Sequence, residues 1–316
     1  MSGKSLHRRG FLLTAAASTA VSTLPAVANA APASPRHHRS ATFRWLGTAG
    51  WRIDVGDRTV LVDPYLSRFP TGLFTGAFDP ATPLAVNPAA ITAARLGTPE
   101  TVLVTHTHWD HFADVPQVAR STGARVLGTL TAYHLGLAYG VPAAQLSPVK
   151  GGEVLDFGAY RVEVVAALHS RNAGYSMAFP GVRLAVPQPA PATIADLPEG
   201  DTLAYVLRVP DGPSVFLMGA SDFVERNLTG LRPDVAMIAL NSSAATFDYV
   251  PRLLAALDRP RVVVPVHWDD FEQPATNPPP VAPADRNRLS AFVDAIRAAS
   301  PRSRIVVPEY DQPYTF

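Results

Sequence analysis

Three of the chain's nine histidines fall within six consecutive residues, in the run Thr105-His106-Thr107-His108-Trp109-Asp110-His111. At this histidine frequency an H-x-H-x-D-H string arises by chance roughly once in three thousand such chains, so the run reads as a motif. Imidazole nitrogens and a carboxylate at this spacing are ligands for divalent cations. Residues two apart in an extended segment point the same way, so His106 and His108 can chelate one cation. Asp110 and His111 come where the chain turns towards a helix, and they can face a second cation. The chain has no cysteine, which removes disulfides, iron–sulfur clusters, thiolate zinc sites and cysteine nucleophiles. Nitrogen and oxygen donors alone suit zinc, and also manganese or iron. Four residues under-coordinate two cations, so further ligands must come from elsewhere.

The candidates stand at the ends of apolar strands, where sites collect in layered α/β proteins. The strand through Val102, Leu103 and Val104 runs straight into the motif. Others end at Asp63, at His169, at Gly219-Ala220-Ser221-Asp222 and at His267. Around them, alternation and turn residues predict strands at 43–47, 51–55, 59–62, 101–104 and 125–128, with helices at 113–122 and 130–139. The second half predicts strands at 153–157, 160–168, 175–179, 182–186, 202–209, 214–218, 235–240, 261–266 and 304–307. Helices are predicted at 250–257 and 285–299. Each half gives strands first and strand–helix alternation afterwards, a pattern that two face-to-face sheets with helices outside would bury. The connection 67–96 is too long for a turn and carries Phe69, Phe74 and Phe78, so it is a candidate pocket wall.

Composition fits a folded domain: 47% of residues are hydrophobic and 17% charged. Of the 27 bases, Lys4, Arg8 and Arg9 lie in the first thirty residues, leaving 24 bases against 26 acids in the rest. That balance gives no footprint for nucleic acid. Arg8-Arg9 precede a mildly apolar stretch, and Ala28-Asn29-Ala30 fits a small-x-small cleavage site. Residues 1–30 therefore resemble a twin-arginine export signal, which implies a secreted or extracytoplasmic protein with no integral membrane segment after cleavage. Residues 31–41, with His37 and His38, are expected to be a disordered linker. One domain is expected over 42–316.

From about residue 42 to the end, the sequence resembles the metallo-β-lactamase-fold hydrolase superfamily. The opening from Trp45-Leu46-Gly47 to Leu61-Val62-Asp63-Pro64 is similar to the branch containing ascorbate-6-phosphate lactonase and the N-acylphosphatidylethanolamine phospholipase D. The resemblance implies an α/β fold, a four-layer αββα sandwich with a dinuclear site at one edge. It implies that His106, His108 and His169 hold the first metal, that Asp110, His111 and His267 hold the second, and that Asp222 bridges both. Asp63 would support the site from behind. Many members carry the bridging aspartate directly after a glycine, whereas here it follows Gly219-Ala220-Ser221. The helical insert of the β-CASP nucleases is missing, as is the flavodoxin-like domain of the diiron oxygen reductases.

The chemistry expected is hydrolysis by water activated between two divalent cations, zinc first, with Asp110 as proton shuttle. The bond is an ester or lactone, or a phosphodiester, in a small-molecule or lipid-like substrate. A metal enzyme that does not hydrolyse, and a non-catalytic binding protein on this fold, are the other readings. Trp109, Trp268 and Tyr175 are expected near the substrate. His134 is read as an ordinary helix histidine, and Asp269 and Asp270 as a solvated turn.

Overall fold

The computed structural model describes residues 40–316. The export signal expected over 1–30 and the linker as far as residue 39 lie outside the described residues. The first strand already includes Ala41, which was expected to close the linker.

In the first half, β1 (Ala41–Gly47), β2 (Gly50–Val55) and β3 (Arg58–Val62) form an antiparallel meander. Helix α1 (Pro88–Ala93) precedes β4 (Thr101–Leu103). Then follow α2 (Trp109–Phe112), α3 (Val115–Thr122), β5 (Arg125–Gly128), α4 (Leu130–Ala138) and β6 (Leu146–Pro148). Strands β3 to β6 pair in parallel. The second half runs β7 (Val154–Asp156), β8 (Arg161–Ala167), β9 (Thr202–Arg208) and β10 (Ser214–Met218), all antiparallel neighbours. Helix α5 (Glu225–Leu228), β11 (Val235–Ala239), α6 (Tyr249–Ala256), β12 (Val262–Val266), α7 (Pro283–Ala299) and β13 (Arg304–Ile305) follow. Strands β10 to β13 are parallel. Among the described residues this makes two seven-stranded sheets, because β14 (Pro313–Tyr314) returns to pair with β1.

Side-chain alternation along each strand assigns the layers. Val60 and Val62 join Phe43, Trp45 and Ile53 in a core shared with the second sheet and with α6 and α7. Leu61, between them, points the other way, and with Val102, Val104 and Val126 it packs under α3 and α4. The result is the expected four-layer αββα sandwich.

Three local expectations need correction. The runs 175–179 and 182–186 form no strands; their backbone bonds instead to another loop, with Glu199 N on Phe179 O at 2.8 Å and Gly200 N on Gly181 O at 2.8 Å. Pro180 interrupts the two runs and supplies no ladder donor. The helix expected at 113–122 starts two residues later, as α3, and a separate short helix, α2, precedes it over Trp109–Phe112; between them the Asp114 carboxylate accepts from Leu66 N and Ser67 N. The connection 67–96 contains α1, whose signal was Asn87-Pro88: Asn87 Oδ1 accepts from Ala89 N and Ala90 N, and proline opens the helix.

Candidate metal centre

Parallel pairing brings the ends of β3 and β4 to one edge of the first sheet, and those of β10, β11 and β12 to one edge of the second. Two antiparallel steps from β10 return β8 to the same direction, so its end, followed by His169, joins that edge. Two turning points are held in the left-handed region, Asp63 at φ 36° and His267 at φ 59°. Strain of this kind persists where surrounding bonds fix it. Here Asp63 N donates to Leu103 O, and His267 N donates to Thr48 O.

Two ligand groups result. One ring nitrogen from each of His106, His108 and His169 lies within 4.8 Å of the others, and the same holds for a carboxylate oxygen of Asp110 and one ring nitrogen each of His111 and His267. The groups adjoin, with the His106 and His111 ring centroids 3.9 Å apart. Asp110 Oδ2 is 3.2 Å from His267 Nε2 and 3.5 Å from His111 Nε2.

Each ring of the first group, and His111, has one nitrogen anchored. His169 Nδ1 donates to Ser170 O at 2.7 Å, and His108 Nε2 donates to Ala178 O at 2.9 Å. His111 Nδ1 donates to Asp63 Oδ2 at 2.8 Å, and His106 Nδ1 meets Thr105 Oγ1 at 3.1 Å. Thr105 spends its own proton on Asp63 Oδ2, so its oxygen accepts from His106. The nitrogens left over are Nδ1 of His108 and Nε2 of His106, His111 and His169. Anchoring the far nitrogen sets the tautomer and aims the ring at a metal.

Charge states of the first group and of Asp110 agree with ligand roles. Burial and the neighbouring imidazoles push His106 well down, His108 to about 3 and His169 to about 4. All three are therefore neutral at neutral pH, the form that binds metal. Burial raises Asp110, but His111 and His267 outweigh it and hold the carboxyl below its ordinary range. His111 is lowered by burial and raised by Asp110 and Asp63, with the carboxylates prevailing.

Not every sequence candidate arrives here. Asp222 is in neither ligand group. Its Oδ1 accepts from Phe223 N, and its side chain lines a neighbouring cavity of about 590 Å³ that shares the His169 wall. The residues of that turn facing the metal centre are Gly219 and Ala220. Gly219 is required: a Cβ there would lie 2.2 Å from Thr105 Oγ1 and 2.8 Å from Asp63 Oδ2. Tyr175 is 76% exposed and off the cavity wall. Trp268 is buried beneath the centre, stacked on Trp45 at 5.1 Å with Nε1 on Pro265 O. Trp109 does line the centre, against Phe78 and Phe179. His134 is the structural histidine expected, with Nδ1 on Arg183 O. Asp269 is not solvated: it is buried and binds Thr48 N, Tyr310 Oη and the buried Arg68.

The cavity over the two groups measures about 190 Å³. Leu73, Phe78 and Trp109 give it an apolar wall, while Asn172, Ser176, Asn241 and Ser242 give a polar one. Sequence reasoning missed Asn241, although it directly follows the apolar strand 235–240 and obeys the same strand-end rule as His267.

The donor set fits divalent cations, with five imidazoles and one carboxylate in two clusters, four of the rings braced from behind. Comparison with known proteins agrees. The family model described as "Beta-lactamase superfamily domain" matches residues 42–267. A UPF0173 metal-dependent hydrolase of Cupriavidus necator is 30% identical over 260 residues, covering 78% of this chain and 80% of the relative. One from Methylobacterium nodulans is 30% identical over 272 residues, covering 84% and 94%. In fold, the chain is similar to the solved structure of Igni18, a metallo hydrolase from Ignicoccus hospitalis, at TM-score 0.53 and 19% identity, covering 88% of this chain and 98% of that one. The chain belongs to the beta-lactamase superfamily, among its UPF0173 metal-dependent hydrolases.

Proposed function

We propose that the protein is an exported hydrolase whose two ligand groups each hold a divalent cation, zinc first, and that it cleaves an ester or lactone, or a phosphodiester. The observation that carries this reading is the adjacency of the two groups, His106 and His111 being in ring contact. Such cations, when bound, lower the pKa of a water and polarise the electrophilic oxygen. The chain supplies the rest. Asp110, kept ionised by His111 and His267, is placed to take a proton at Oδ2. Leu73, Phe78 and Trp109 exclude water from one side and favour an acyl-bearing or lipid-like substrate. The similarity of the 45–64 opening to the lactonase and phospholipase branch supports the same bond classes. Arg8-Arg9 and Ala28-Asn29-Ala30 support export with cleavage after residue 30 and a catalytic domain over the rest. Among the described residues no helix is long and apolar enough to cross a membrane.

The test is a panel of ester, lactone and phosphodiester substrates with the purified zinc-loaded protein. Turnover of one bond class that is lost in His108→Ala supports the reading; equal turnover in the variant contradicts it. Export is tested by the double change Arg8→Lys, Arg9→Lys, which should strand the precursor in the cytoplasm.

A further inference from the structure

The turn after β10 faces both ligand groups, yet it presents no charge to them. Ala220 and Gly219 stand on the wall of the shared cavity, and Asp222, two residues on, is drawn out of it by a bridge to Leu168 and by its bond to Phe223 N. Among the described residues lining this cavity, Asp110 alone is acidic. Asp63 also lies close, but both its oxygens are engaged, by Thr105 N, Thr105 Oγ1 and His111 Nδ1. Two divalent cations bring far more charge than one carboxylate and a metal-bound hydroxide together offset, and in a buried site the remaining excess favours a further anion. The neighbouring turn after β11, tied to this one by Ser221 Oγ on Asn241 O, offers neutral donors. Ser242 Oγ donates to Asn241 Oδ1, and Asn241, which lines the cavity, keeps its amide nitrogen as a donor.

We propose that an external carboxylate, carried by the substrate or by a small co-ligand, fills the place left beside Ala220 and completes the cation pair, and that Asp222 is not a metal ligand. This inference rests on the two-cation reading above. It deepens that reading by naming an anionic, carboxylate-bearing ligand class for the centre.

The test is calorimetric titration of zinc into the metal-free protein, in a non-coordinating buffer, with sodium acetate or with sodium chloride at equal ionic strength. Acetate should tighten the weaker zinc step about tenfold or more, because two ligands that bind together assist each other equally. Ala220→Asp should show the tighter step without acetate and lose the acetate effect. Asp222→Ala should titrate like the unmodified chain. No difference between acetate and chloride in the unmodified chain would overturn the proposal, as would loss of a zinc step in Asp222→Ala. If Ala220→Asp does not fold, the acetate comparison and Asp222→Ala still decide. Failure of the underlying reading looks different: no zinc step at all in the unmodified chain, or His108→Ala titrating unchanged.

Discussion

The Asp63 carboxylate and the His111 imidazole lie 2.8 Å apart, Oδ2 to Nδ1, and both are sealed from solvent. This bond joins the end of β3 to the start of the helical half of the motif. It also fixes which nitrogen His111 offers to a cation. The other Asp63 oxygen takes Thr105 N at 2.7 Å, so one carboxylate positions both sides of the motif.

Asp63→Asn should therefore weaken the cation at Asp110, His111 and His267 by about 10- to 100-fold, and more than the cation at His106, His108 and His169, which Asp63 reaches only through Thr105 Oγ1. Dialysis against a graded chelator followed by elemental analysis reads this directly. Equal loss of both cations would mean that Asp63 supports the fold and not one site.

Stability of the metal-free chain should rise with pH between about 3 and 6.5. His108 and His169 titrate at about 3 and 4 in the folded chain, below their ordinary value of 6.5. In that window the unfolded chain binds more protons than the folded one, so the stabilising contribution is complete above 6.5 and is lost as the pH falls towards 3. Urea unfolding at a series of pH values checks the slope; a flat profile contradicts the burial of these rings.

The apolar wall depends on a distant carboxylate. Glu272 Oε1 accepts from Thr71 N at 2.8 Å, Thr71 Oγ1 at 2.5 Å and Leu73 N at 3.3 Å. Glu272→Ala leaves these donors without their acceptor and should cost about 2–3 kcal/mol. It should also expose 71–79 to limited proteolysis. Resistance equal to that of the unmodified chain would show that the loop is held by its phenylalanines alone.

Trp109 and Trp268 are expected to separate. Trp268→Ala removes a ring stacked on Trp45 in the core and should cost about 3–5 kcal/mol. Chemical denaturation measures it. A change below about 1 kcal/mol would contradict the packing role.

Much of the site was legible because its signal is short-range. Three histidines and an aspartate within six residues announce a ligand set before any fold is known. The strand-end rule then finds Asp63, His169 and His267, because parallel strands deliver their ends to one edge. The rule fixes an edge but not an inward direction. In Gly219-Ala220-Ser221-Asp222 it pointed to the carboxylate, whereas the structure turns Ala220 inward. Sequence order cannot show that Leu168 bridges to Asp222. Asp269 was misread for a similar reason: its partner Arg68 is 201 residues away, and local polarity gives no sign of it. The runs 175–179 and 182–186 alternate like strands, but alternation describes a face, and among the described residues no neighbouring strand offers them a ladder.

The central claim is that one chain holds two cations in two ligand groups. Elemental analysis of the purified, zinc-loaded protein tests it most directly, with His108→Ala and His267→Ala alongside. The account predicts about two ions per chain in the unmodified protein and about one in each variant. A single ion in the unmodified protein, or unchanged content in both variants, would contradict it.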